Sequence, residues 1–265
     1  MEFCGCACQK WLLVNRIGTI KGGEGMFSVT EMRDFTTFSF PHIVTLLLFL
    51  MICLAMIFFR KNLQPYQSFI KWLLFSLLII CEISQHTWLI LTNQWEVGDL
   101  PLQVCSLSTF LALYLFLKNN QKAFNLLYFT GTLPAILSMV TPDLVYQFPH
   151  FRFLKYFLQH SVIPLSVLYF ILFENYRVPK SAIVKSFLTL NMIALPIFFL
   201  NQLLDTNFFF LASPSETETL LSFFGSGIWY YINLEIAAIL VFLITYWPMA
   251  GLLKRERRAS DGSKN

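Results

Sequence analysis

Seven long apolar runs, separated by short polar breaks, constrain this chain more than any other feature of its sequence. Most of them reach the roughly 20 residues that an α-helix needs to cross the hydrocarbon layer of a bilayer. Only 13% of the residues are charged, against roughly 25% in a soluble domain. The sequence therefore predicts an all-α, polytopic membrane bundle of seven transmembrane helices. The runs cover residues 40–59, 69–93, 101–117, 123–140, 154–173, 182–204 and 225–250.

Composition divides the chain into three parts. Residues 1–37 form an N-terminal tail that lacks the apolar segment of a signal peptide, and we expect it to be partly non-native or disordered. Residues 38–252 form the seven-helix domain, and residues 253–265 form a basic tail. Unbroken apolar stretches such as residues 46–50 exclude a β-barrel, because barrel strands alternate polar and apolar residues.

The distribution of Lys and Arg predicts the orientation of the bundle. Loops two, four and six contain only Arg152 and Lys155, whereas thirteen cations fall in loops one, three and five and in the C-terminal tail. Cytoplasmic loops are enriched in Lys and Arg, so the N-terminus is predicted outside and the C-terminus in the cytoplasm. We expect a multi-pass protein of the cell membrane, the cytoplasmic membrane if the source is bacterial. The thirteen are Arg60, Lys61, Lys71, Lys118, Lys122, Arg177, Lys180, Lys185, Lys254, Arg255, Arg257, Arg258 and Lys264.

Polar residues inside the runs are the candidates for function, because they are costly against lipid and normally face the bundle interior. Five runs place such residues in the half that ends outside, which predicts one polar pocket in the outer leaflet. Each residue taken alone also fits an ordinary hydrogen bond between helices. The residues are His42 in the first run, Glu82, Gln85 and His86 in the second, Cys105, Ser108 and Thr109 in the third, His160 in the fifth, and Asn233 and Glu235 in the seventh.

Among these residues, Cys105 is the strongest nucleophile. A thiol becomes effective when a neighbouring base takes its proton, and His160 and His86 are the candidate bases. Cys53 and Cys81 lie in apolar runs where a cysteine usually acts as a small hydrophobic residue. The sequence therefore predicts a Cys105 and His160 pair at the core of the pocket.

A metal site is the weaker interpretation of the same residues. Glu82 and His86 have the spacing of two ligands on one helix face, but a closed site needs more ligands than this pair supplies. The CGCAC cluster at residues 4–8 lacks the ligand spacing of zinc sites. We expect neither a metal nor another cofactor. Nucleic acid is not an expected partner either, since the cations form no basic stripe.

Several short motifs resemble those of the YwaF-like family of integral membrane proteins over residues 35–252. They are FSFPH at residues 38–42, LPLQVCS at 100–106, TPD at 141–143, FPHFR at 148–152 and QH at 159–160. The resemblance places Cys105 at the family's cysteine and His160 at its histidine, while Gln103 stands where the family often has histidine. Vertebrate relatives resemble acyltransferases that remodel ether phospholipids, which implies phospholipid or lysolipid substrates.

Together these observations predict a membrane-embedded acyltransferase or acyl hydrolase that forms an acyl-thioester on Cys105. His160 would act as the base, Glu82 or His86 would orient it, and Gln103 or Asn233 would bind the oxyanion. The alternative is a non-catalytic binding or transport protein for a small polar or cationic solute, with Glu82 and Glu235 as counter-charges.

Overall fold

The computed structural model describes residues 25–29, 35–214 and 219–262, and no strand occurs within these ranges. Eight helices of eight or more residues lie in this part of the chain. They are α1 (Phe40–Phe58), α2 (Gln67–Leu91), α3 (Val104–Leu117), α4 (Gln121–Gly131), α5 (Leu133–Val140), α6 (Phe151–Leu172), α7 (Ala182–Leu204) and α8 (Ile228–Gly262). A helical turn at Arg60–Leu63 and 3₁₀ turns at Gln64–Tyr66, Val97–Asp99, Phe208–Phe210 and Leu220–Phe224 connect them.

Six helical segments of the described residues are long and apolar enough to cross a membrane, which confirms the all-α membrane fold. They are Phe40–Phe58, Arg60–Leu91, Gln121–Val140, Phe151–Leu172, Ala182–Leu204 and Ile228–Asp261. The predicted third span differs from them, because α3 has only 14 residues. The reason lies in Pro101, which favours an extended conformation in the residue before it; Leu100 has a ψ of 142°, and the helix begins only at Val104.

Two other boundaries differ from the sequence prediction. Helix α6 begins at Phe151, because the His150 ring accepts a hydrogen bond from the Arg152 N–H and caps the first turn. Arg152 and Lys155 therefore lie on a helix rather than in a loop. Helix α8 continues to Gly262, so most of the predicted basic tail at 253–265 is helical.

Helix α6 is the centre of the bundle and packs against α1, α2, α3, α4 and α5. In its most apolar stretch 61% of the residues are buried, compared with 11% in α7 and 17% in α8. Gly131 at the end of α4 allows the close approach of its neighbours, since a Cβ there would lie 2.8 Å from side-chain atoms of Ile163 and Leu127. The functional candidates on α2 and α3 are therefore arranged around α6.

Polar contacts show which helix ends lie together. The Arg60 guanidinium donates to Asn175 at 3.1 Å, the Gln121 amide donates to the Arg177 carbonyl at 2.9 Å, and Arg177 forms a 2.7 Å ion pair with Glu256. These contacts bring the ends of α1 and α6, the start of α4 and the last turns of α8 to one side, here called the basic end. Helices α3 and α6 both run towards this end and are parallel.

Candidate functional site

A buried polar cluster joins α2, α3 and α6 in the half of the bundle away from the basic end. The side-chain N–H₂ of Gln159 on α6 donates two hydrogen bonds, to the Glu82 carboxylate at 2.8 Å and to the Thr109 hydroxyl at 3.1 Å. Gln159 is 2% exposed and Thr109 is fully buried, whereas Glu82 is half-buried. This cluster gives Glu82 the interhelical partner that an acidic group needs within a membrane.

Cys105 lies one helical turn from this cluster, on the side away from the basic end. Cys105 and Thr109 are four residues apart and share a face of α3, just as Lys155 and Gln159 share a face of α6. Because the two helices are parallel and Thr109 contacts Gln159, Cys105 faces Lys155 one turn earlier. Lys155 and Glu82 are the charged groups that act electrostatically on the half-buried Cys105 thiol.

His160 follows Gln159 on α6 and is 5% exposed. Its Nδ1 lies 2.8 Å from the Tyr156 carbonyl, and its ring stacks on the Tyr156 ring at 4.1 Å. A carbonyl only accepts, so Nδ1 carries the proton, and Nε2 presents a lone pair with no hydrogen-bond partner among the described residues. Cys105 and His160 form no hydrogen bond with each other in this part of the chain. His160 is five residues beyond Lys155, an axial offset of about 7.5 Å.

Gln103 and Ser108 hold α3 in place rather than facing a free space. The Gln103 side chain accepts from the Phe209 N–H at 2.9 Å and donates to the Asn207 carbonyl at 3.4 Å. The Ser108 hydroxyl donates to Thr130 of α4 at 3.0 Å. Both parts of the Gln103 amide are therefore used to fix the chain that follows α7.

His42 and His86 have different surroundings. His42 is fully buried, and its Nδ1 accepts from the Phe38 N–H at 2.9 Å while Nε2 donates to the Met139 carbonyl at 2.8 Å. Both ring nitrogens of His42 are thus occupied in joining α1 to α5. His86 lies one turn from Glu82, is half-buried and makes no hydrogen bond within the described ranges.

Asn233 and Glu235 of α8 have hydrogen-bond partners outside the cluster that contains Glu82. The Asn233 amide donates to the Phe224 carbonyl at 3.0 Å, and Glu235 accepts from Asn191 of α7 at 3.4 Å. The structure therefore brings Glu82 and Thr109 together on α6, with Cys105 one helical turn away. It places Glu235 at the contact between α7 and α8, and Asn233 against the turn that precedes α8.

No group of three or more His, Cys, Asp or Glu side chains in the described ranges has an arrangement that could hold a metal ion. Cys53, Cys81 and Cys105 are free thiols. Cys4, Cys6 and Cys8 of the CGCAC cluster lie outside the described residues.

Sequence reasoning missed Lys155, Gln159 and Arg152 as members of this region. Their spacing of three and four residues is a signal for one polar face at the start of α6. The Arg152 guanidinium lies over the Trp88 ring at 5.5 Å. The prediction of orientation assigns Arg152 and Lys155 to loop four, although the fifth apolar run begins at residue 154.

The fold and this cluster define a multi-pass, α-helical membrane protein with charged and nucleophilic groups inside one half of its bundle. The chain belongs to the TMEM164 family, whose family model matches residues 37–246. No curated protein and no solved structure matches the chain significantly. This match confirms the predicted membership of a membrane-protein family, but the family it shows is TMEM164 and not the YwaF-like one.

Proposed function

We propose that this protein transfers or hydrolyses lipid acyl groups, with Cys105 as the nucleophile and His160 as the base. The observation that carries the proposal is the position of Cys105, a half-buried thiol in the first turn of α3 opposite the Lys155 ammonium. A cation and the N-terminal end of a helix both attract a thiolate. Cys81 has the same charged neighbours but is 1% exposed, so Cys105 is the more accessible of these two thiols.

In the first step, the Cys105 thiol gives its proton to Nε2 of His160 and the sulfur attacks an ester carbonyl of a phospholipid. The tetrahedral intermediate expels the lysolipid alkoxide, which takes the proton from His160, and the acyl group remains as a thioester. A lysolipid hydroxyl or water then attacks the thioester while His160 accepts its proton, and that proton returns to the leaving thiolate. Cys105 and His160 are not hydrogen-bonded to each other, so in this proposal a bridging water or the acceptor hydroxyl carries the proton between them.

The backbone at the start of α3 is the proposed site for the oxyanion. The first N–H groups of a helix have no partner within the helix, and those of Cys105 and Ser106 lie beside the sulfur. Gln103 and Asn233 would first have to release the carbonyl groups they hold. Glu82 and His86 are proposed to orient the base or to pass its proton to solvent.

We also propose that α3 crosses with the other helices, which gives seven crossings and a cytoplasmic basic end. The chain reaches α3 from the end of α2 and leaves it for the start of α4, which lies at the basic end. The concentration of Lys and Arg at that end supports the orientation. The resemblance to YwaF-like proteins supports the lipid substrate and, for a bacterial source, the cytoplasmic membrane.

Mass spectrometry of the intact protein after incubation with a phospholipid tests the proposal. We expect one acyl group per chain, removable by hydroxylamine and lost in Cys105→Ser, with Cys53→Ser as the matched control. An alkyl-tailed thiol probe should modify Cys105 ahead of Cys53 and Cys81, and more slowly in the His160→Ala protein. Equal labelling of all three thiols, or labelling unchanged in His160→Ala, would contradict the Cys105 and His160 pair.

The solute-binding alternative makes a different prediction in the same samples. It requires Glu82 and Glu235 to act together on one ligand, and their hydrogen-bond partners lie on α6 and α7 respectively. Ligand binding that survives Cys105→Ser, without any acyl adduct in the unmodified protein, would favour it.

A further inference from the structure

The guanidinium of Arg152 has a buried nitrogen without a partner. Arg152 stacks over Trp88 of α2, and its NH1 atom is inaccessible and forms no hydrogen bond. Asp99 acts on Arg152 only electrostatically, since none of its hydrogen bonds reaches the guanidinium. A buried cationic donor without an acceptor is costly, and an oxyanion ligand would remove that cost.

Lys155 provides a second cation on the same face of α6, three residues further into the helix. The two residues are separated along the helix axis by about 4.5 Å, which is the rise of three helical residues. Lys155 faces Cys105, and Arg152 lies on the side of Lys155 away from the basic end. A ligand that touches both cations therefore ends beside the thiol.

An apolar groove lies beside the Trp88 ring on which Arg152 stacks. It has a volume of about 340 Å³ and is lined by residues of α2 such as Ile80 and Ile83, together with Trp88 and Phe151. Trp88 is also the ring under the Arg152 guanidinium, so the groove and Arg152 share a wall. A molecule with an anionic group and an alkyl chain would fit this combination.

We propose that Arg152 and Lys155 bind the phosphate of a phospholipid, with an alkyl chain in the groove along α2. In a phospholipid the phosphate lies outside the ester carbonyls, and Arg152 likewise lies outside Cys105. The planar guanidinium suits two phosphate oxygens at once, while Lys155 contributes a point charge. This inference rests on the proposed acyl transfer and deepens it, because the phosphate would hold an ester carbonyl at the thiol.

Binding of dihexanoyl phosphatidate to the full chain in maltoside detergent tests this site, measured by calorimetry in the Cys105→Ser background so that no turnover occurs. The neutral matched probe is dihexanoylglycerol, and inorganic phosphate is the third probe. We expect Arg152→Gln to weaken phosphatidate binding about tenfold or more, the size expected for lost charge-assisted bonds, and to leave dihexanoylglycerol unchanged. Lys254→Gln, at the basic end, is the matched control and should bind as the parent does.

Arg152→Lys and Lys155→Gln keep the test decisive if Arg152→Gln does not fold. The first retains the charge without the planar donors and should weaken binding less than the Gln variant; the second should weaken phosphatidate binding alone. Equal effects on both lipids, or phosphate binding without lipid binding, would overturn the proposal. If the protein forms an acyl adduct but phosphatidate binding does not depend on Arg152, only the phosphate site is refuted. If phosphatidate binding depends on Arg152 but no acyl adduct forms, only the acyl transfer is refuted.

Discussion

Replacing Gln159 with leucine tests the interhelical cluster directly. Gln159 makes one hydrogen bond to the Glu82 carboxylate and one to Thr109, and both end when the amide is removed. Hydrogen bonds to charged groups contribute about 1.5–3 kcal/mol, and bonds between membrane helices average about 0.6 kcal/mol. We therefore expect Gln159→Leu to lower the free energy of unfolding by about 2–3.5 kcal/mol. Leucine matches glutamine in helix propensity, so the backbone contributes little to this change.

A double-mutant cycle separates the Glu82 bond from the rest of this loss. Unfolding would be followed in mixed micelles of mild detergent and dodecyl sulfate, by circular dichroism, for Gln159→Leu, Glu82→Leu and the double variant. The two residues are in contact, so their coupling should be about 1–2 kcal/mol, within the range of interacting pairs. Asn191→Leu is the control. It removes the 3.4 Å bond to Glu235 and a 3.2 Å bond to the Phe187 carbonyl of the same helix, both from a half-buried side chain, and should cost less than Gln159→Leu.

Additive losses would refute the assignment of Glu82 to Gln159. A coupling below about 0.3–0.5 kcal/mol is what independent sites give. In that case the Glu82 carboxylate would have its main partner elsewhere in the bundle.

Two further predictions concern the histidines outside the cluster. His42→Ala should lower the free energy of unfolding by about 2–4 kcal/mol, because it leaves the Met139 carbonyl and the Phe38 N–H unpaired and opens a cavity; the same micelle titration measures it. Burial lowers the pKa of His150 below its ordinary value of 6.5, so its neutral ring stabilises the fold above that pH and the contribution is lost as pH falls. Protonation of Nδ1 removes the acceptor of the Arg152 N–H and leaves the Nε2 donor to the Ser28 carbonyl in place. Hydrogen exchange in the first turn of α6, corrected for intrinsic rates, should therefore increase between pH 7.5 and 5.5, and should not do so in His150→Gln.

The helices themselves could be predicted from the sequence, because long apolar runs leave few alternatives in a bilayer. The predicted helix boundaries were wrong where a neighbouring residue determines the first turn of the helix. Pro101 delays the start of α3, and the cap from His150 draws Arg152 and Lys155 into α6. Hydropathy alone places such long cations in loops, although their aliphatic stems can lie along a helix.

The periodicity of the sequence does not predict the hydrogen-bond partner of Glu82. The spacing of Glu82 and His86 predicts a shared face of α2, but it does not say which helix that face meets. The sequence places Glu82 in one pocket with Asn233 and Glu235 of α8, whereas the observed hydrogen bond comes from Gln159 of α6. Which helices are neighbours depends on how they pack. A small residue such as Gly131 allows two helices to approach closely, but a single sequence does not show that it does so.

The connection between Gln103 and the chain after α7 has a consequence for how a lipid would reach Cys105. Phe209 and Phe210 have positive φ angles of 59° and 54°, an unfavourable conformation that costs about 1–3 kcal/mol per residue and persists only where contacts enforce it. The Gln103 side chain, two residues before Cys105, accepts a hydrogen bond from the Phe209 N–H. The Asn201 side chain forms two more hydrogen bonds, with the carbonyl and the N–H of Phe208. Lifting this segment would break all of these bonds together. These bonds obstruct a path from the water above α3, so in the proposed function the lipid would reach Cys105 from within the bilayer.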